Sequence, residues 1–467
     1  MKKEKAKKYI CLILFFAISL SNLLTLSVKA EGQPVIPPEI KSQSFVLMDA
    51  DSGQVLFEKN MNDRIYPASI TKIMTALLAL ERGRLSDIIT MSYDAVWSIE
   101  RDTSHIALDE GEQITLEQAL YALAIESAND AANGIAELIC GSMDEFARQM
   151  TSRAKELGAL NTNFVNAHGL NDANHYTTAY DMALIMAAAV KIPEFTKIFT
   201  AVTYGMPPTN IQPKSRTFNR QNSLVEGRYA YKGLLGEKRG WTPESGYTFV
   251  SAARRDGRTL AAVVIKSPDK ASMHQDAAAL LDYGFNEFVP VSFGVSEFDK
   301  DKYIIEGADG AKIDAELIPS GGFNCLILKS LSKNDIDLKY MLTTNGISYK
   351  IEGKAVFILK PGLSSLMYPE LGEVKMRIYF NTGEISKNAI PANNGAANQN
   401  DREDIESNKS AFSVIWSVLS VILQIVGVIA LVLLFLYIRR NRIIEKRKRK
   451  QQRRRNYNNY NKQPPMY

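Results

Sequence analysis

The sequence predicts an α+β chain: one antiparallel sheet flanked by helical layers, then a small β-rich domain, then a single membrane-spanning helix. Three observations predict it. A strand–turn–strand text is followed by a long helical stretch, then by two more strands and a helix, the order expected of one sheet with helices on its faces. From about residue 291 to 380 the text breaks into short alternating runs split by Gly, Asp, Asn and Pro. From Phe412 to Ile438 an uncharged apolar run is long enough to cross a hydrocarbon core of ~30 Å as a helix.

The opening strands come from Phe45 to Asn60, turning at Asp49-Ala50-Asp51-Ser52-Gly53. A helix is predicted from Pro67 to Glu81; its Ile73, Met74, Leu77, Leu78 and Leu80 cover most faces, so it is buried, and Gly83 ends it. Helical text resumes from Leu116 to about Ile139, interrupted near Glu126–Asp130, and again from Ser142 to Leu157 and from Thr178 to Val190. Tyr247–Ala253 and Thr259–Ile265 read as strands joined by the turn Arg255-Asp256-Gly257-Arg258, and a helix from about Asp269 to Tyr283 closes the region. The β-rich text that follows includes Asn324–Leu328, Ile347–Ile351 and Lys375–Phe380. Residues 381–411 are rich in Asn, Ala and charge with no apolar period, the composition of a flexible tether.

With 467 residues, 46% hydrophobic and 23% charged, the chain has material for two or three cored domains, which excludes a disordered chain, a coiled coil and a collagen-like fibre. The net charge of +5 is a sum of unlike parts. Residues 1–30 carry six lysines and one acid, residues 439–467 twelve basic residues and one acid, and the body between them is acidic by 11 charges. Such a body repels a phosphate backbone, which excludes nucleic acid as the main partner.

The two ends place the body. A basic start, an apolar run from about Tyr9 to Leu26 and the small-residue stretch Val28-Lys29-Ala30 predict a secretory signal peptide over 1–30. Trp416 and Tyr437 flank the second apolar run as interfacial anchors, and Arg439-Arg440-Asn441-Arg442 follows it. Positive residues stay cytoplasmic, so the body is expected outside the cell membrane and the tail 439–467 inside. After processing, Cys140 and Cys325 remain, far apart in sequence, and are read as isolated thiols. Four histidines without metal-ligand spacing point to no metal site.

Three short patterns carry chemistry. In Tyr66-Pro67-Ala68-Ser69-Ile70-Thr71-Lys72, one helical turn separates Ser69 from Lys72, so the amine reaches the hydroxyl. Free N–H groups at the helix start favour developing negative charge there, and apolar surroundings lower the lysine pKa so that it serves as a base. In Ser127-Ala128-Asn129, a hydroxyl and an amide interrupt a buried helical stretch, where polar groups are costly unless used. In Lys238-Arg239-Gly240-Trp241, a cation precedes a glycine that permits close backbone approach, so that backbone N–H groups face an oxyanion. Each pattern recurs by chance: Ser267…Lys270 and Ser330…Lys333, Ser332-Lys333-Asn334 and Ser386-Lys387-Asn388, and Lys360-Pro361-Gly362. Context favours the first set, because only Ser69 opens an apolar helix.

Taken in order, the three patterns resemble those of the penicillin-recognising serine enzymes, and among them the low-molecular-weight penicillin-binding proteins, the serine-type D-alanyl-D-alanine carboxypeptidases. Phe164-Val165-Asn166-Ala167-His168-Gly169-Leu170, the stretch His175–Ala183 and Leu280-Leu281-Asp282-Tyr283-Gly284-Phe285 resemble the same family. The resemblance covers about 42–290 and implies a transpeptidase-like catalytic domain over 31–290, before a small β-rich domain over 291–380. It implies that Ser69 attacks the carbonyl between the last two D-alanines of a peptidoglycan stem peptide, that Lys72 takes its proton, and that Ser127 relays a proton to the leaving D-alanine with Lys238 near it. Asn129 would orient the substrate, and the N–H groups of Ser69 and Trp241 would form the oxyanion hole. β-Lactams would acylate Ser69, and neither cofactor nor metal is implied. His168 and His175 are read as structural.

One departure stands out. The family usually carries Thr where this chain has Arg239, and often an Arg where spacing gives Met273. Both contact the substrate's terminal carboxylate, so Arg239 is expected to supply from the strand the guanidinium missing from the helix. The alternatives are a β-lactamase, a D,D-endopeptidase and a catalytically impaired wall-binding homologue. The deacylating Glu-x-x-Leu-Asn text of the β-lactamase class is not found in the sequence.

Overall fold

The computed structural model describes residues 35–380 apart from 101, 221, 299–301, 307–311, 345–350 and 364–366. These residues belong to one compact unit, Met1–Gly383. The expected signal peptide 1–30, tether 381–411, span 412–438 and tail 439–467 lie outside the described residues. No helix among the described residues is long and apolar enough to cross a membrane.

The chain opens with β1 (Ser44–Asp49) and β2 (Val55–Lys59), then a 3₁₀ turn (Ala68–Thr71) that runs directly into helix α1 (Lys72–Arg82). Next come β3 (Ile88–Thr90), α2 (Tyr93–Trp97), β4 (Gln113–Thr115), α3 (Leu116–Ile125), α4 (Asn129–Cys140), α5 (Met143–Glu156), α6 (Ala179–Ala189) and α7 (Pro193–Phe199). A small hairpin, β5 (Thr203–Met206) and β6 (Arg216–Asn219), precedes β7 (Leu234–Thr242), β8 (Gly246–Arg255), β9 (Arg258–Ser267) and α8 (Lys270–Glu287). The β-rich part holds β10 (Phe288–Phe293), β11 (Lys302–Glu306), β12 (Lys312–Pro319), β13 (Phe323–Leu328), β14 (Ile336–Thr344), β15 (Ile351–Leu359) and β16 (Glu370–Phe380).

The central sheet is antiparallel with the order β2-β1-β9-β8-β7, so its first and last strands in chain order, β1 and β9, meet in its middle. Both faces are buried. Val46 and Met48 of β1, Val250 and Ala252 of β8, and Ala261, Val263 and Ile265 of β9 face the larger helical layer. Their alternates Phe45, Leu47, Phe249, Leu260, Ala262 and Val264 face α8 and the β-rich part. Successive strand residues point to opposite faces, so a strand covered on both sides reads as continuous apolar text.

The sequence reading differs from the structure in several places, and the expected run Ile347–Ile351 lies outside the described residues except for Ile351. The helix expected from Pro67 begins as a 3₁₀ turn and becomes α-helical only at Lys72. The helix expected to stop at Tyr283 continues to Glu287, because nothing in Gly284–Glu287 blocks helix and the face carrying Phe285 remains buried. The pair of strands after residue 246 is joined by the strand expected at Lys238–Gly240, which is β7 and pairs along β8 from Thr242 to Leu234; its Gly and charged residues hide that extent from a hydrophobicity count. Finally α7 and the β5–β6 hairpin were not foreseen; Phe195, Phe199, Met206 and Phe218 anchor them to the helical core.

Candidate active site

A cleft of about 360 Å³ opens between the start of α1, the break between α3 and α4, strand β7 and the first turn of α8. Its floor is built from the 3₁₀ turn that carries Ser69. Ala68 takes φ 52°, an unfavourable region for a non-glycine residue. The surroundings hold it there. Thr248 Oγ1 donates to the Pro67 carbonyl at 2.9 Å. Gly169 packs so closely that a Cβ on it would lie 1.9 Å from the Ala68 carbonyl oxygen. On the other side, a Cβ on Gly240 would lie 2.8 Å from the Ser69 nitrogen. Ser69 is thus clasped between two glycines that let backbone approach backbone.

Lys72 is fully buried, and its Nζ donates to Ser69 Oγ at 3.1 Å, to Asn129 Oδ1 at 2.7 Å and to the His168 carbonyl at 2.7 Å. The 3₁₀ turn explains the first contact, because side chains three residues apart eclipse each other there. Burial lowers the Lys72 pKa to about 7, and the Asp130 charge opposes that shift. The sequence predicted apolar surroundings for this amine. Its nearest atoms are instead three oxygens, and the desolvation comes from the shell beyond them.

Ser127 sits where α3 has ended and α4 has not begun, with φ 62°. The break points Ser127 into the cleft and Asn129 beneath it. Asn129 holds Lys72 through Oδ1, and its Nδ2 donates to Thr103 Oγ1 at 3.1 Å. Asp130 accepts from the Ile106 and Leu108 backbone N–H groups, tying down the loop that brings Ser104 to the cleft.

Strand β7 forms the opposite wall. Lys238 is buried, and its Nζ donates to Ser127 Oγ at 3.0 Å and to the Arg239 carbonyl at 3.1 Å. Desolvation first, then the positive Lys72 and Arg239, hold its pKa well below the ordinary lysine value. Arg239 is exposed on the cleft wall, and Trp241, 56% exposed, stands at the mouth with its ring centroid 6.3 Å from that of Tyr247. All seven residues singled out in the sequence therefore converge: Ser69, Ser127, Lys238, Arg239 and Trp241 line the cleft, with Lys72 and Asn129 hydrogen-bonded beneath.

Sequence reasoning did not single out three further cleft residues. Arg220 and Glu237 form a buried ion pair at 3.1 Å, and Glu237 also accepts from the Leu224 N–H. Arg220 further donates to the carbonyls of Ala124 and Ala201, which fastens β7 to the end of α3. The third is Lys270, on the first turn of α8 three residues before Met273. No short motif contains Arg220 or Glu237, and Lys270 stands only in the Ser267…Lys270 spacing set aside as chance. A Glu beside a Lys in a buried strand was the available sign.

The two histidines act on the framework. His175 Nδ1 accepts from the Val165 N–H, so its other nitrogen donates to Thr71 Oγ1 at 2.9 Å and steadies the turn that carries Ser69. Burial lowers His175 to about 4 and His168 to about 3, so both stay neutral near pH 7. Of the chance motifs, Ser267 bonds Ser42 Oγ away from the cleft although Lys270 lines it, Ser330, Lys333 and Lys360 belong to the β-rich part, and 386–388 lie outside the described residues. No group of three or more His, Cys, Asp or Glu among the described residues is arranged to hold a metal ion. Cys140 and Cys325 are free thiols.

A serine on a constrained turn, a low-pKa lysine one turn on, a second serine–lysine pair across the cleft and a glycine-bearing strand beside the nucleophile define the class of active-serine acyl-transfer enzymes. Comparison with known proteins narrows the class. The profile of the D-alanyl-D-alanine carboxypeptidase family, peptidase S11, matches residues 29–269, and the chain belongs to that family. D-alanyl-D-alanine carboxypeptidase DacF of Bacillus subtilis is 36% identical over 265 residues, 56% of this chain and 66% of the relative. DacA of Haemophilus influenzae is 33% identical over 282 residues, 58% of this chain and 70% of the relative. The crystal structure of penicillin binding protein 5 from H. influenzae superposes with a TM-score of 0.57 at 26% identity, covering 74% of this chain and 98% of that one. The chain thus spans about two thirds of its curated relatives and nearly all of that structure.

Proposed function

We propose that the protein is a serine-type D-alanyl-D-alanine carboxypeptidase that removes the terminal D-alanine from peptidoglycan stem peptides and is acylated by β-lactams. The observation that carries the proposal is the 3.1 Å contact between Ser69 Oγ and a Lys72 amine whose pKa lies near 7. Lys72 takes the Ser69 proton as Oγ attacks the scissile carbonyl. Negative charge collects on the carbonyl oxygen, which the Ser69 and Trp241 N–H groups receive; the closeness of β7 to the Ser69 nitrogen supports that role. The C–N bond breaks, and Ser127, fed by Lys238, passes a proton to the leaving D-alanine. Water then attacks the ester, releasing the shortened peptide and restoring the Ser69 hydroxyl. Asn129 holds Lys72 in line and orients the substrate, and Arg239 meets its terminal carboxylate.

The rest of the proposal rests on sequence. Residues 1–30 are a secretory signal, 31–290 the catalytic domain, 291–380 a β-rich spacer, 381–411 a tether, 412–438 a transmembrane helix and 439–467 a cytoplasmic basic tail. The protein is a single-pass membrane protein whose cleft faces the cell wall. Release of free D-alanine from a pentapeptide ending in D-Ala-D-Ala, with a slowly lost penicillin adduct on Ser69 by mass spectrometry, is the expected result. Rapid loss of the adduct would favour a β-lactamase, and absence of both would reject the proposal. A chain ending at residue 411 should leave the membrane fraction.

A further inference from the structure

We propose that Lys270 is a specificity-determining residue that grips the substrate's terminal carboxylate together with Arg239. The inference rests on the carboxypeptidase reading above. It begins with a charge account of the cleft. Four cationic side chains line it, Arg220, Lys238, Arg239 and Lys270, against two acidic ones, Glu126 and Glu237. Glu237 is committed to Arg220 and the Leu224 N–H, and Glu126 accepts from the Asn219 N–H. Lys238 is committed to Ser127 and the Arg239 carbonyl. Arg239 and Lys270 remain. Both are exposed, and neither side chain makes an ion pair or hydrogen bond with the described residues.

The two come from different elements, Arg239 from β7 and Lys270 from the first residue of α8, and converge on one cleft. The positive charge of Arg239 is the leading influence that lowers the Lys270 pKa, so the two cations already sense each other. The positive end of α8 adds to the field. Two cations held without a counterion on one wall of a cleft that also holds Ser69 create a site for an anion. In a peptide cut at its last bond, the terminal carboxylate carbon lies three bonds from the attacked carbonyl. A carboxylate offers two oxygens in a plane. The guanidinium fork takes them in parallel, and an ammonium adds a point charge to one of them. Met273 lies three residues after Lys270 on the same cleft-facing side of α8, so the helix delivers its cation from one turn nearer its start.

The test uses the Ser69→Ala protein, so that binding is read without turnover, and compares a peptide ending in D-Ala-D-Ala with its C-terminal amide by calorimetry. Adding Lys270→Ala should weaken the acid about tenfold and leave the amide unchanged. Lys270→Arg should recover most of the loss, and Lys270→Glu should deepen it. In the Ser69 enzyme the Lys270→Ala loss should fall mainly on KM. An acid-to-amide affinity ratio that Lys270→Ala leaves unchanged overturns the role of Lys270. With D-alanine release intact, that outcome leaves the carboxypeptidase reading standing; if the Ser69 enzyme releases no D-alanine and its Ser69→Ala form does not prefer the acid, both fall.

Discussion

The floor and the wall of the cleft handle positive charge in opposite ways. On the floor and at the buried base of β7, Lys72 and Lys238 are each fixed by two or three hydrogen bonds, and both have pKa values pushed down by desolvation. On the wall, Arg239 and Lys270 are exposed and face the cleft without acidic partners. The difference matches the two roles proposed for these cations. A group that must give and take protons near pH 7 is best dehydrated and held still, whereas a group that must attract an anion keeps its charge and its reach.

The largest expected break of that contrast is on the floor. Lys72→Arg keeps the cation but removes a base able to lose its proton near pH 7. Acylation by penicillin, followed in stopped flow, should fall by about 10³ or more. In the unsubstituted protein the same rate should rise with pH up to about 7, as Lys72 loses its proton, and level off above it. A limb that is flat between pH 5 and 8 would remove Lys72 as the base. The same shift has a stability consequence. The folded chain holds fewer protons than the unfolded one between pH 7 and 10.5, so burying Lys72 costs stability, most fully below 7, and the cost fades as pH rises.

The next effect concerns the support beneath β7. Glu237→Leu leaves Arg220 buried without its countercharge and should cost roughly 3 kcal/mol, read as a drop in the urea midpoint. Adding Arg220→Met should recover much of it; no recovery would mean that the pair is not what joins β7 to α3. On the wall, Arg239→Thr should lower kcat/KM by about tenfold, and faster hydrolysis would show that the arginine obstructs the carboxylate. Smallest of all, Arg84→Ala breaks an exposed ion pair with Asp87 far from the cleft, and should leave both Tm and D-alanine release unchanged.

Much of the fold was legible because local patterns are local physics. The apolar residues of α1, the turns at Asp49–Gly53 and Arg255–Arg258 and the polar interruption at Ser127 are written within a few residues of where they act. The hairpin β5–β6 and helix α7 were not legible, since their identity comes from what Phe199, Met206 and Phe218 pack against, not from their own text. The same division runs through the site. Ser69, Lys72, Ser127 and Lys238 stand in recognisable short spacings. Lys270, Arg220 and Glu237 are ordinary residues until the chain returns to place them.

The sequence by itself determined that Ser69 and Lys72 would meet, because three residues in one tight turn leave their side chains little choice. It also determined the interruption at residue 127, because a Ser–Asn pair amid alanines and leucines must find polar company. Only the tertiary structure decided that Lys238, 111 residues on, would donate to Ser127, and that an exposed lysine and arginine would face the same opening. Contacts between neighbours follow from backbone geometry. Contacts between distant residues follow from the sheet that joins β1 to β9 and carries β7 against Ser69, and no short stretch of text encodes that.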